Sequence, residues 1–157
     1  MTPLQSPHVE SVSSTLVIKN NLDQLVKLSE WINRLAGEIG LPAAKAFHLE
    51  LALTEAVTNI IEYAFEAGAE HEISVKLTYR PDHLAVELID EGRPFDPTRY
   101  KGVELPGTLD EAEVGGLGIH LLRSYTDKIQ YKRRNNQNIL TLIFGLDPPT
   151  RSSQHSV

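Results

Sequence analysis

With 157 residues, 41% of them hydrophobic and 23% charged, the chain can bury one real core, which excludes the disordered and fibrous classes. A formal net charge of -6 excludes a general nucleic-acid binder, and the absence of cysteine excludes a disulfide framework, a thiolate metal site and a cysteine nucleophile. The first residues, MTPLQSPHVESVSS, lack the basic start and apolar centre of a signal peptide. No run of about 18 apolar residues occurs, so a soluble cytoplasmic protein without a membrane partner is expected.

Residues 1–13 and 147–157 are rich in Ser, Pro and other residues with little to bury, and are expected to be loose tails around a single domain over 14–146. Thr15 to Lys19 is short and β-branched, as strands are. Asn20 or Asn21 can then cap a helix to about Glu38, with Leu25, Leu28, Ile32, Leu35 and Ile39 at helical spacing. Gly40-Leu41-Pro42 breaks it, Pro42 opens a second helix, and Gly68 is expected to end that one.

Within the second helix, Leu49, Leu53, Ala56, Val57, Ile60 and Ala64 fall on one stripe at about 100° per residue. Glu55, Asn59, Glu62 and Glu66 gather almost opposite, on a line expected to be exposed. A solvated face accounts for such residues by itself; equally, the spacing sets a carboxylate and a carboxamide one turn apart.

From His71 to Arg80 the chain alternates, with Ile73, Val75, Leu77 and Tyr79 on one face. Pro81-Asp82 turns it, and Leu84, Val86 and Leu88 carry a second strand to Asp90. A carboxylate at that strand end could accept a hydrogen bond from an amino group such as that of adenine, and Gly92 lets the chain turn sharply after it. An ordinary strand-ending turn would also select Asp and Gly.

Between Gly92 and Val114 the pattern dissolves among prolines and glycines, a length of loop that is usually functional or mobile. Gly118 to Tyr125 reads as a short helix. Gly115, Gly116 and Gly118 before it could let backbone N–H groups approach phosphate oxygens, or could simply permit close packing. Lys128 to Arg133 and Asn138 to Phe144 read as strands paired about the turn 134–137, and the run Lys132, Arg133, Arg134 reads as a solvated turn. The order gives an α+β two-layer sandwich with antiparallel hairpins and helices on one face.

Three stretches, EAVTN on a helix, DEGRPFD after a strand and GGLGIHLL opening a helix, resemble in order and separation the N, G1 and G2 boxes of the GHKL ATP-binding superfamily. They are most similar to the small stand-alone anti-sigma factor serine kinases of the RsbW and SpoIIAB type, with their SEAVTN, DxGxxFDP and GGLGLxL. The resemblance covers residues 15–145. It implies a Bergerat-type sandwich with a mixed, mostly antiparallel sheet and helices on one face.

Carried over by position, the resemblance implies Glu55 as general base, Asn59 as Mg²⁺ ligand and Asp90 as acceptor for the adenine amino group. Gly92 would shape the adenine pocket with Phe95 beside it. Gly115, Gly116, Leu117 and Gly118 would hold the phosphates beneath a lid over 97–114. It further implies Mg-ATP as cofactor, a sigma factor and an anti-anti-sigma STAS-domain protein as partners, and a homodimer.

The chain has no G-x-x-x-x-G-K-[ST], so charge neutralisation beyond Mg²⁺ and backbone would fall to Arg99 or Lys101. The acidic lid residues Asp110, Glu111 and Glu113, and His120, depart from any role the resemblance supplies. His48 and His71 are not at metal-ligand spacing. The alternatives are a partner-binding module without phosphoryl transfer, which loss of Glu55 would have favoured, and a histidine-kinase ATP-binding domain. The 14 residues before the first strand leave no room in this sequence for the latter's helical hairpin.

Overall fold

A computed structural model describes residues 11–99 and 122–146. The chain runs β1 (Val12–Lys19), a 3₁₀ turn (Leu22–Gln24), α1 (Leu25–Ile39), α2 (Ala43–Tyr63), β2 (Glu72–Arg80) and β3 (His83–Asp90). A second 3₁₀ turn (Pro97–Arg99), β4 (Lys128–Arg134) and β5 (Gln137–Gly145) follow. The strands form one sheet in the order β1-β2-β3-β5-β4. All four described ladders are antiparallel, so the sheet is not mixed over these residues.

Strand alternation decides which face is covered. Ile73, Val75 and Leu77 on β2, Leu84, Val86 and Leu88 on β3, and Leu140, Leu142 and Phe144 on β5 are buried beneath Leu28, Trp31, Ile32 and Leu35 of α1 and Leu49, Leu53, Val57 and Ile60 of α2. Truncating any one of the fully buried leucines, such as Leu53, would cost about 2–5 kcal/mol. Trp31 Nε1 donates to Ser14 Oγ at 3.0 Å and ties α1 to β1. Glu50 accepts from Ser29 Oγ and from Asn33 Nδ2 at 3.1 Å, which joins the two helices along their polar edge.

The ends follow local chemistry, with four departures from expectation. The first strand starts at Val12, so Val12 and Ser13 pair with Tyr79 and Thr78 instead of lying in the tail. Asn21 Oδ1 accepts from Asp23 N, capping the 3₁₀ turn that leads into α1. Gly40, at φ 73°, closes α1 with Leu41 N donating to Ala36 O at 2.9 Å, as in a Schellman motif.

Helix α2 stops at Tyr63 and not at Gly68, because the β3–β4 connection occupies its C-terminus; Gly68, at φ 89°, serves the turn beyond. The β4–β5 turn is shorter than expected: Asn135 and Asn136, at φ 55° and 63°, make a two-residue turn of the mirror-image type that matches strand twist. Of the predicted helix 118–125, residues 122–125 are helical, and Leu122 is buried against the core. Residues 118–121, both tails up to residue 10 and from 147, and the lid from residue 100 lie outside the described residues.

Candidate functional site

Among the described residues three polar side chains are buried, Asn59, Asp90 and Asn138 at 5%, 2% and 3% exposure, and the candidate site is built on them. Asn59 corrects the helical-wheel reading, which put it on an exposed line with Glu55. Helix α2 packs against α1, and just past its end Ala64 meets Gly92 beyond β3. The buried surface of α2 takes in Ala52 and Asn59 as well as the stripe. Glu62 and Glu66 remain exposed, while Glu55 is half-buried.

Among the described residues the amide Nδ2 of Asn59 has no hydrogen-bond partner. A buried, unsatisfied amide costs about 1–3 kcal/mol, a penalty that a bound group could relieve. An amide oxygen is also a hard donor of the kind Mg²⁺ takes alongside phosphate and water. The residues present therefore fit a Mg²⁺-nucleotide. Asn59 would hold the ion, and the donor set excludes a soft-metal site. One turn earlier, the Glu55 carboxyl is raised above the usual carboxylate range, first by burial and then by the charge of Glu62.

Asp90 ends β3 at an inward position, in phase with Leu84, Val86 and Leu88. Its Oδ1 accepts from Gly92 N at 2.8 Å and from Asn138 Nδ2 at 2.9 Å. Burial pushes its carboxyl up, opposed by Asn138, Gly92, Arg133 and His71. Gly92 corrects the sequence reading too. Its φ is not positive, so no turn requires glycine there; a Cβ would stand 2.3 Å from Ala64 O and 2.8 Å from Ala64 Cβ. Only a hydrogen at this position lets the end of β3 reach the end of α2.

Arg93 completes that junction. Its N donates to Ala64 O at 2.8 Å and its Nε to Tyr63 O at 3.1 Å, so a cation caps the helix C-terminus. Phe95 is half-buried and stacks on Tyr63 at 5.4 Å. The ring thus braces α2. Ala64 lies five residues past Asn59, about 7.5 Å along the helix axis. The structure in this way brings Asp90, Gly92 and Phe95 to the α2–β3 junction, with Asn59 and then Glu55 farther back along α2.

Gly115, Gly116, Leu117 and Gly118 lie outside the described residues, as does Lys101. Arg99 is exposed at the end of its 3₁₀ turn, which Asp96 caps by accepting from Thr98 N at 2.9 Å. A cavity of about 570 Å³ beyond the end of α2, lined by Lys19, Asn21, Ile61 and Glu62 among others, includes none of the predicted residues except through the exposed Glu62 and Glu66.

Three participants escaped the sequence reading. Asn138 on β5 stands directly opposite Asp90 across the β3–β5 ladder, and Arg133 on β4 directly opposite Asn138. Arg133 NH1 donates to Gly92 O at 2.8 Å and to Asn138 Oδ1 at 3.0 Å, and Tyr131 OH donates to the same Oδ1. Arg133 is therefore a strand residue whose guanidinium is directed at the site, although it is exposed like its neighbours Lys132 and Arg134. The available signal was Asn138 itself, a polar residue in phase with Leu140, Leu142 and Phe144 on the buried face of a strand.

The site therefore sits where an antiparallel sheet lies under two helices, with an asparagine on α2 and an aspartate at the end of β3. The chain belongs to the histidine kinase-like ATPase domain family, whose model matches residues 18–144. Among curated proteins it is 35% identical over 114 residues to the serine/threonine-protein kinase BtrW of Bordetella bronchiseptica, covering 71% of this chain and 79% of that one. It is 26% identical over 112 residues to the serine-protein kinase RsbW of Bacillus subtilis, covering 69% of this chain and 70% of the relative. A crystal structure of the RsbU and RsbW domains of a Mycobacterium tuberculosis protein shares the fold at a TM-score of 0.64 and 13% identity. That match covers 89% of this chain and 33% of the other.

Proposed function

We infer that this chain is an ATP-dependent protein serine/threonine kinase of the anti-sigma type. It binds Mg-ATP, holds a sigma factor, and phosphorylates an anti-anti-sigma partner with a STAS domain. The observation that carries this is the pairing on α2 of a half-buried carboxylate of raised pKa, Glu55, with the orphaned amide of Asn59 one turn away. The kinase names of the relatives support the same reading.

Bound Mg-ATP supplies the phosphoryl group and neutralises its charge. The chain's own residues do the rest. Glu55 takes the proton of the acceptor hydroxyl, and burial raises its basicity for that task. Asn59 would offer its amide oxygen to the metal. Asp90 would accept from the adenine amino group through Oδ2, since among the described residues its hydrogen bonds go to Oδ1. Gly92 and Arg93 hold the base-side turn against α2, which fixes the distance between base and reacting end. By the family resemblance Gly115, Gly116, Leu117 and Gly118 would hold the phosphates, and the protein works as a homodimer in the cytoplasm. Among the described residues no helix is long and apolar enough to cross a membrane.

The deciding experiment incubates the full chain with Mg²⁺, labelled ATP and candidate STAS proteins, and follows label on the partner. Label on a partner serine or threonine is expected. ATP and sigma-factor binding with no transfer to any partner would instead make the chain a binding module.

A further inference from the structure

Across the inward face of the sheet, one cross-strand row reads Ile18, Ile73, Asp90, Asn138, Arg133 from β1 to β4. The row is apolar at one end and cationic at the other. Its polar part is a chain of donors that runs toward a carboxylate: Arg133 into Asn138 Oδ1, and Asn138 Nδ2 into Asp90 Oδ1. Asn138 Nδ2 also donates to Arg93 O at 2.9 Å, and its Oδ1 receives Tyr131 OH and, at 3.4 Å, Phe95 N. Turning the amide over would set its NH₂ against the Arg133 and Phe95 donors, so one orientation is fixed.

We propose that Arg133 and Asn138 are positioning residues for the base: they occupy one oxygen of Asp90, leave the other as a bare acceptor, and thereby select a purine bearing an exocyclic amino group over one bearing a carbonyl. This rests on the reading of Asp90 as the base-binding carboxylate. An ionised oxygen with no proton to give welcomes an N–H and repels a carbonyl, and a site built for one partner rejects the other strongly. Burial disfavours the ionised carboxylate, and the groups that oppose it are first the hydrogen bonds from Asn138 and Gly92 N, then the charge of Arg133 from β4 and His71 from the segment before β2. Tyr131 stands behind Asn138, and at this point α2 presents the backbone of Ala64.

The test titrates the full chain with ATP and with inosine triphosphate, which carries a carbonyl where adenine carries its amino group, from pH 7.5 down to 5. Asn138 is buried and its removal endangers the fold, so the informative variant is Arg133→Met, at an exposed position of the β4 edge. It should lose about tenfold in ATP affinity, the value of one charge-assisted hydrogen bond, and change little for inosine triphosphate. Its ATP binding should also fail at a higher pH than in the parent, and Arg133→Lys should restore the pH profile by restoring the charge.

An unchanged ratio of the two affinities with an unchanged pH profile in Arg133→Met overturns the proposal, and so does an equal loss for both nucleotides. Asp90→Asn serves as the control. If the folded Asp90→Asn chain binds ATP like the parent, the base is not at Asp90 and the functional reading falls with the inference. If Asp90→Asn loses ATP while Arg133→Met behaves as the parent, the inference alone falls.

Discussion

Two walls meet at the α2–β3 junction, and they treat a buried asparagine in opposite ways. On the sheet side, the Asn138 amide has partners for both ends, with Asp90, Arg93, Arg133 and Tyr131 around it. On the helix side, the Asn59 Nδ2 has none among the described residues. Folding tolerates few such groups, because each loses its water without replacement. The satisfied wall is a scaffold whose geometry is fixed in the folded chain. The unsatisfied wall stores a deficit that a ligand can fill, together with Glu55, whose own carboxylate is disfavoured by burial.

The sharpest break between the two walls should come from Glu55→Gln, which keeps shape and hydrogen-bonding reach but cannot take a proton. Phosphoryl transfer should fall by about 10² to 10⁴ while ATP still binds. Single-turnover transfer to a STAS partner, set beside calorimetry with ATP, reads both; transfer at the parental rate would falsify the base assignment.

Next in size, Gly92→Ala attacks the contact that joins the walls. Its methyl would meet backbone at 2.3 Å, which cannot give as a side-chain tip could, so a loss of about 2–4 kcal/mol in unfolding free energy is expected. Denaturant melts with an unchanged midpoint would show that the junction opens freely. On the sheet side, Asp90→Asn should weaken adenine nucleotide binding by about 1.5–3 kcal/mol in a folded chain, measured by calorimetry.

Asn59→Ala tests the deficit directly. Removing an unsatisfied amide relieves its desolvation, so the nucleotide-free chain should be as stable as the parent or more so, within about 1 kcal/mol, while Mg²⁺-dependent ATP binding is lost. Mg²⁺-free nucleotide binding should change less. A clear drop in apo stability would mean that Asn59 is satisfied after all, and the contrast with Asn138 would vanish.

The smallest effect is in the pH dependence of stability. The Glu55 and Asp90 carboxyls both have folded pKa values above the ordinary range, so between that range and the raised values the folded chain holds more protons than the unfolded one. Stability from these groups is therefore full at low pH and declines as pH rises through that window. Melts of Asp90→Asn should show a shallower decline than the parent there; identical slopes would contradict the burial of a charged Asp90.

How far the sequence could be read depended on how local each determinant was. Strand alternation over β2, β3 and β5 and the helical spacing of α1 are set by neighbouring residues, and those elements appear where their periodicity places them. Asp90 was legible because it closes an alternating strand. The misplacements share one cause. Asn59 looked exposed, Gly68 looked like a helix end, Gly92 looked like a turn residue and Arg133 looked solvated, because in each case the deciding neighbour lies about 30 or more residues away in the chain or in another layer.

The periodicity and turn residues of this chain by themselves determined its element order, its apolar face and the α+β class, since those follow from side-chain spacing along a single segment. Only the tertiary structure decided that β5 inserts between β3 and β4, which sets Asn138 opposite Asp90 and Arg133 opposite Asn138. The same packing pressed Ala64 onto Gly92 and buried the amide of Asn59 without a partner. Register and burial are properties of pairs of distant segments, and a pattern within one segment carries no record of which segment will lie against it.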